Sequence, residues 1–573
     1  MKSGADYGGP ETTGEALLGL LAARGVDYFL AGGSGTDFPP VIEGFARRQA
    51  LGQPVPQPVT VMHEITTAAM AHGYAMVSGR PLFAMVHTIV GTANTVCGIM
   101  NASRVRAPVV LAAGRTANSE KGGRVSRVAG IHWAQESFDQ AGMFREYLKW
   151  DFELRVAADL EKAVDRAFAI AQSAPAGPVY LCLPLDTLAA EPPSGFAGTA
   201  RILPTAAAAA GADSVARAAQ ALAGARNPLV IASSVGRDPA AVTALVELAE
   251  LLALPVVEHW HTHLNFPQDN PLHVGYDSAR FVADADVILV AESDAPWFPA
   301  VAEPADTAVI IQVDEDPLHQ GLPMRGFPTD ITLSGSPALS LAALASAVRR
   351  LGTDATALHA RRLACADVHR RQRESWQNAA LAGAHRQPMS PAYVSSCVAA
   401  MLTADDIAIT EYVLDPEQTR FTEPGTFYNH SHAGGLGWAP GAALGAKLAR
   451  PDSTVVCCVG DGCYNFAAPL ATHYTARSNN LPVLFVVFNN GAWGKTRQAV
   501  RAYAPDGFAA RLDVPPLCRL GEPPRYDEVC RASGGYGERV TDPGKLPAAL
   551  RRALDAVRNE GRQALLDVIT DVE

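Results

Sequence analysis

Residues 455–493 read VVCCVGDGCYNFAAPLATHYTARSNNLPVLFVVFNNGAW, and this stretch decides the fold. An apolar run, Val455 to Val459, leads into Gly460-Asp461-Gly462. A mostly apolar segment with helical spacing follows. A second apolar run, Val483 to Phe488, leads into Asn489-Asn490-Gly491. Two continuous apolar runs with a helix between them make a βαβ unit, because parallel strands need a long crossover. Both polar clusters then lie at one edge of a parallel sheet, at the carboxyl ends of its strands, where open α/β sheets bind ligands.

The residue types at that edge suit a magnesium diphosphate. Mg²⁺ takes hard oxygen ligands and keeps one or two carboxylates, with phosphate and water completing the octahedron. Asp461 offers a charged oxygen and Asn490 a neutral one. Gly460 and Gly462 let the backbone approach phosphate, and the helix start after Gly462 favours negative charge. Either cluster alone reads as an ordinary turn. The pair, each after a strand and joined by a helix, is far more specific.

On these residues the segment resembles the thiamin diphosphate signature of the acetolactate synthase, benzoylformate decarboxylase and pyruvate decarboxylase superfamily. The resemblance implies that Asp461, the Asn490 side chain and the Ala492 carbonyl hold Mg²⁺. The interval from Asp461 to Asn490 is longer here than in that superfamily. The extra length is expected in the 476–480 region, where the helix ends, clear of the ligands.

The chain has 573 residues, enough for three or four domains. At 48% hydrophobic and 18% charged it can bury large cores. A formal charge of −11, without basic runs, argues against a nucleic-acid partner. The nine cysteines show no CxxC spacing, so they read as reduced and mostly buried in a cytoplasmic protein. No apolar run reaches the length of a membrane span, and residues 1–10 lack the order of a signal peptide.

Strand and helix patterns alternate from the start. Helical patterns at 11–25, 65–78 and 91–104 interleave with strand patterns at 26–30, 59–62, 81–87, 108–113 and 178–184. A Pro/Gly/Ala-rich linker at 191–211 precedes a second series, with strands at 229–232, 255–257, 287–290 and 309–313. An Arg-rich helical connector at 341–377 leads to the last series, which starts at Ser390-Pro391. It closes with a helix at 545–558 and a strand at 563–569. The expected fold is α/β, with three doubly wound parallel-sheet domains. By the resemblance these are a pyrimidine-binding domain at 11–190, a central domain at 205–345 and a diphosphate- and Mg²⁺-binding domain at 390–573.

Glu64 ends a strand and opens a helix, where a carboxylate also favours the helix dipole. The string VMHEITTAAMAHGYAMVSGRP from Val61 resembles the superfamily segment whose glutamate contacts the cofactor's aminopyrimidine. A carboxyl on that ring favours its imino form, which can accept the proton of the reactive carbon. FLAGGSGTDFP from Phe29 and MVHTIVGTANTVCGIMNASRVRAPVV from Met85 are similar to benzoylformate decarboxylase. They place Ser34 as a carboxylate-binding group and His87 as a proton relay. Trp133-Ala134-Gln135-Glu136 resembles the glutamine segment of acetolactate synthases and makes Gln135 a candidate. His132 stands alone there, read as a loop residue that is also a candidate for a site role. For YNHSHAGGLGWAPGAALG from Tyr428, the resemblance implies that the Gly434 carbonyl bonds the 4′-amino group and that Leu436 is the wedge that bends the cofactor, with His430 and His432 close by.

The central segment carries Ala291-Glu292-Ser293-Asp294 where flavin-binding relatives have Gly and Arg, so FAD is not expected. His259, His261 and His263 are not expected to hold a metal, since no carboxylate second shell accompanies them. The resemblance implies a 2-oxo acid substrate, and a homodimer or homotetramer with active sites at the interface. The favoured activity is decarboxylation with carboligation to a 2-hydroxyketone, as in acetolactate synthase. The alternatives are a non-ligating decarboxylase or lyase like benzoylformate decarboxylase, and a non-catalytic cofactor-binding subunit.

Overall fold

The computed structural model describes residues 9–192, 202–352 and 354–572. Its strands form three parallel sheets. The first holds β1 (Tyr28–Gly32), β2 (Gln57–Val61), β3 (Phe83–Val86), β4 (Val110–Arg115), β5 (Trp150–Glu153) and β6 (Val179–Pro184), in the order β2-β1-β3-β4-β6-β5. The second holds β7 (Pro228–Ala232), β8 (Val256–Glu258), β9 (Val287–Ala291), β10 (Val309–Asp314) and β11 (Ile331–Ser334), in the order β11-β10-β9-β7-β8. The third holds β12 (Ile407–Glu411), β13 (Phe427–Asn429), β14 (Val455–Gly460), β15 (Leu484–Asn489), β16 (Tyr536–Val540) and β17 (Ala564–Ile569), in the order β13-β12-β14-β15-β17-β16. The first and third sheets therefore share one topology. In each, the chain reverses direction between the first and third strands in sequence order, which opens a crevice at their carboxyl ends.

The central strands are buried throughout, as expected for sheets covered by helices on both faces. The chain divides into two compact units, one of residues 1–205 with 432–449, the other of residues 206–431 with 450–573. In the first unit the helices that position the site are α1 (Thr13–Ala23), α2 (Pro39–Ala50), α3 (Glu64–Ser78) and α4 (Thr88–Arg104). Helix Trp438–Ala449 also belongs to it and packs along α3. Small residues allow this approach: a Cβ on Gly73 would stand 2.1 Å from the Ala442 carbonyl oxygen.

Several elements differ from the sequence expectation. The helix between β14 and β15 is two helices, Asp461–Phe466 and Pro469–Ser478. Ala468 between them takes a left-handed conformation (φ 47°), and Pro469 cannot continue a helix begun before it. The Arg-rich connector is likewise two helices, Pro337–Leu351 and Ala355–Gly383, with Gly352 (φ 76°) ending the first. The second is more than a connector. Its Arg361 donates to the carbonyls of Leu252 and Ala225 (2.9 and 2.8 Å), and Leu358 and Val368 pack on the central core. Helices α2, Leu160–Gln172 and Tyr526–Ala532, and strands β5 and β16, lie in segments with no expected element. β5 and β16 are edge strands with largely half-buried patterns, so they lack the apolar run that marks an interior strand. Part of the expected linker, residues 193–201, lies outside the described residues.

Candidate active site

In the first unit the site gathers at the carboxyl ends of β1 and β3. The turn after β1 leads to Asp37, and β3 ends at His87. Asp37 is 1% exposed. Its Oδ1 lies 2.5 Å from His87 Nδ1, and its Oδ2 accepts the Thr88 amide at 3.3 Å. A Cβ on Gly114, at the end of β4, would fall 1.8 Å from Asp37 Oδ2, so only glycine leaves room for this carboxylate. The Asp37 hydrogen bond holds the His87 pKa above the ordinary imidazole value, against the opposing effect of burial. Gln135 and the negative charge of Glu64 add to the rise. With Nδ1 committed to Asp37, Nε2 is the nitrogen left for substrate.

Glu64 opens α3, whose N-cap is His63; the His63 Nδ1 accepts the Ile65 amide at 3.2 Å. Asn94 of α4 donates to Glu64 Oε2 at 3.1 Å. Glu136 anchors the neighbouring Gln135 segment. It accepts from Arg115 Nε (2.8 Å), Thr116 Oγ1 (2.9 Å) and Arg127 (2.6 Å). Burial pushes the Glu136 pKa up, but Thr116 and Arg115 together hold it below the usual carboxylate range. Gly434 has φ 68°. Asn101 clasps the next residue, donating to the Gly435 carbonyl at 2.8 Å and accepting its amide at 3.0 Å.

Of the sequence candidates in this unit, Glu64 and His87 both border the turn after β1, where a Cβ on Gly33 would lie 2.8 Å from Glu64 Oε1; Gln135 follows the short helix Ile131–Ala134. Ser34 is exposed in the turn after β1. Its neighbour Gly35 lies directly against the His87 ring, with a built Cβ 2.2 Å from Nδ1. Leu436 is half-buried. His132 sits in the short helix Ile131–Ala134 instead of a loop, buried, and its Nδ1 accepts the Val128 amide at 3.1 Å.

Asp37, Asn94, Asn101 and Glu136 escaped the sequence reading as site residues. Asp37 precedes Phe38-Pro39-Pro40; the N-cap position of α2 is Phe38, and the Asp37 carboxylate turns to His87. The two asparagines are seven residues apart on α4, a same-face spacing that would have signalled a shared direction.

In the second unit Asp461 is 2% exposed at the end of β14. Its Oδ1 accepts the Gly462 amide (2.9 Å) and its Oδ2 the Gly491 amide (2.8 Å), which ties the two polar clusters together. Asn490 Oδ1 accepts the Ala492 amide at 2.9 Å. The Trp493 ring covers Gly462, where a Cβ would meet it at 2.4 Å. Burial pushes the Asp461 pKa up to about 6. No cationic side chain pairs with it among the described residues. A buried carboxylate with amide support and no cation, beside an amide oxygen, is the donor set a hard divalent ion completes. The residues present therefore fit Mg²⁺ and a diphosphate.

His430 lies against Tyr412, ring centres 3.6 Å apart and planes tilted by 35°, and its Nδ1 meets Asn429 Oδ1 at 2.7 Å. His261 stacks between Tyr276 and Phe427, and His259 reaches Ser278 Oγ at 3.2 Å. At the end of β9, buried Glu292 pairs with Arg237 at 3.1 Å. No helix among the described residues is long and apolar enough to cross a membrane.

Three family models match in chain order. They are the Thiamine pyrophosphate enzyme N-terminal TPP binding domain over residues 11–143, the central domain over 215–344 and the C-terminal TPP binding domain over 409–568. Benzoylformate decarboxylase of Pseudomonas aeruginosa is 28% identical over 520 residues, covering 87% of this chain and 89% of that protein. The acetolactate synthase large subunit of Mycobacterium tuberculosis is 28% identical over 524 residues, covering 90% and 88%. Among solved structures, the thiamine diphosphate-dependent 4-hydroxybenzoylformate decarboxylase of Rhodococcus jostii superposes with a TM-score of 0.78 at 23% identity, covering 98% of this chain and 99% of that one.

Proposed function

We propose, from the premise that this chain belongs to the thiamine pyrophosphate enzymes, that it decarboxylates a 2-oxo acid and releases an aldehyde by proton transfer from His87. The observation that carries this reading is the Asp37–His87 pair, 2.5 Å apart. When bound, thiamin diphosphate supplies the carbon nucleophile for a 2-oxo carbonyl and takes up the electron pair released with CO₂. Asp461, the Asn490 side chain and the Ala492 carbonyl would hold Mg²⁺, and Gly460 and Gly462 would leave room for the diphosphate. Glu64 would bond the pyrimidine ring, the Gly434 carbonyl its amino group, and Leu436 would sit beneath it as a wedge. Ser34 would bind the substrate carboxylate. Asp37 fixes the His87 tautomer and keeps the ring charged at higher pH, so Nε2 delivers a proton where the carboxylate left.

In this reading residues 11–190 bind the pyrimidine end, residues 205–345 form the central domain, and residues 390–573 bind the diphosphate. Glu64 of one protomer meets the metal-binding residues of another in a homodimer or a tetramer of such dimers. A second reading, addition to a second carbonyl to give a 2-hydroxyketone, is favoured by the resemblance of the Gln135 segment to acetolactate synthases. Product analysis with pyruvate and with benzoylformate, each in the presence of thiamin diphosphate and Mg²⁺, separates the two. Aldehyde from either acid supports the first, and a 2-hydroxyketone supports the second. Turnover of neither acid refutes both as stated.

A further inference from the structure

Helix α4 touches two separate parts of the candidate site. Asn94 donates to Glu64 Oε2, and Asn101 forms a two-way clasp with Gly435. The two residues are seven apart, two helical turns, so they lie on one face about 10 Å apart along the axis. Asn101 is 3% exposed and reaches a residue 334 positions away in the chain. Its amide donates to the Gly435 carbonyl and its oxygen accepts the Gly435 amide, as a strand neighbour would. A side chain at 435 would destroy the clasp, since a Cβ there lies 2.9 Å from Asn101 Nδ2 and 3.1 Å from the Cys97 carbonyl oxygen. Gly434 and Gly437 on either side have φ of 68° and 85°. A loop of three glycines has a large conformational entropy, and a clasp at its centre removes much of it before any ligand arrives.

We propose that Asn101 is a positioning residue that presents the Gly434 carbonyl and the Leu436 side chain to the pyrimidine end of the cofactor. This rests on the cofactor reading of the preceding subsection. Asn101 acts through Gly435 and touches no reacting atom. Its loss therefore weakens recognition of the ring while recognition of the diphosphate stays the same.

The test is titration calorimetry on metal-stripped Asn101→Ala and Asn101→Asp proteins with two probes, thiamin diphosphate with Mg²⁺ and inorganic diphosphate with Mg²⁺. Asn101→Asp keeps the acceptor for the Gly435 amide and loses the donor to its carbonyl, so it tests the clasp without opening a cavity. Expected are an affinity for thiamin diphosphate lowered about tenfold, an affinity for inorganic diphosphate unchanged, and faster hydrogen exchange at the Gly435 amide in Asn101→Ala. Unchanged thiamin diphosphate affinity in both variants, or an equal fall for both probes, overturns the proposal. Failure of the unmodified protein to bind thiamin diphosphate overturns the cofactor reading itself, and this inference with it.

Discussion

The Asp37–His87 pair can be tested without knowing the substrate. Asp37→Asn keeps the shape of the side chain and removes its charge. The pair is well shielded: side-chain exposure is 2% for Asp37 and 14% for His87, so solvent screens it little. A hydrogen bond to a charged group is worth about 1.5–3 kcal/mol and a neutral one about 0.5–1.5, so the charge contributes roughly 1–1.5 kcal/mol. The His87 pKa is raised in the folded chain, chiefly by the Asp37 bond, so folding favours its protonated form. That contribution is complete below the unfolded value of about 6.5 and is lost as pH rises through the higher folded value. A double-mutant cycle of Asp37→Asn and His87→Gln, followed by equilibrium urea denaturation, measures it directly. The expected coupling is about 1–1.5 kcal/mol near pH 6, shrinking to under about 0.5 kcal/mol near pH 9. Coupling below about 0.3 kcal/mol at both pH values, or coupling that grows with pH, would refute the assigned ion pair.

Further outcomes follow from the same geometry. Asp461→Ala removes the buried carboxylate that ties Gly462 to Gly491; calorimetric titration should show Mg²⁺-dependent thiamin diphosphate binding weakened by about a hundredfold or more, and retention of tight binding would exclude Asp461 as a metal ligand. Glu64→Gln should lower turnover by about 10²–10⁴ while leaving inorganic diphosphate binding intact, and full activity would remove Glu64 from the chemistry. Gly114→Ala places a methyl group 1.8 Å from Asp37 Oδ2. It should cost about 1–3 kcal/mol in urea denaturation and bring the His87 pKa down by displacing its partner; a neutral substitution would contradict the packing around Asp37. Cys97 is the exposed thiol among nine cysteines and lies on α4 between Asn94 and Asn101. Thiamin diphosphate with Mg²⁺ should slow its alkylation by a maleimide, measured by mass spectrometry, and undiminished labelling would place the ring elsewhere.

Much of the architecture was legible in the chain. Buried parallel strands must be continuous apolar runs, so β3, β4, β6, β14 and β15 announced themselves, and polar residues just beyond them marked the binding edge. Asp461 and Asn490 could be found because local order placed them: each follows a strand, and the crossover brings the strand ends together. Glu64 was legible for the same reason. The edge strands β5 and β16 were not, because a half-buried strand has no run to read. The break before Pro469 could have been read from the proline, which cannot continue a helix, but the left-handed backbone of Ala468 could not, because alanine is a good helix former.

Sequence by itself determined the fold class and placed Asp461 and Asn490 just beyond neighbouring strands, since both depend on residues near one another along the chain. The tertiary structure decided which polar side chains serve the site. Asp37 is an ordinary residue before two prolines until β1 and β3 pair in parallel and bring it within 2.5 Å of His87. Asn101 is an ordinary helical asparagine until a loop 334 residues away folds against it. Hydrogen bonds of this kind are set by distance and angle in space, and a linear pattern encodes neither.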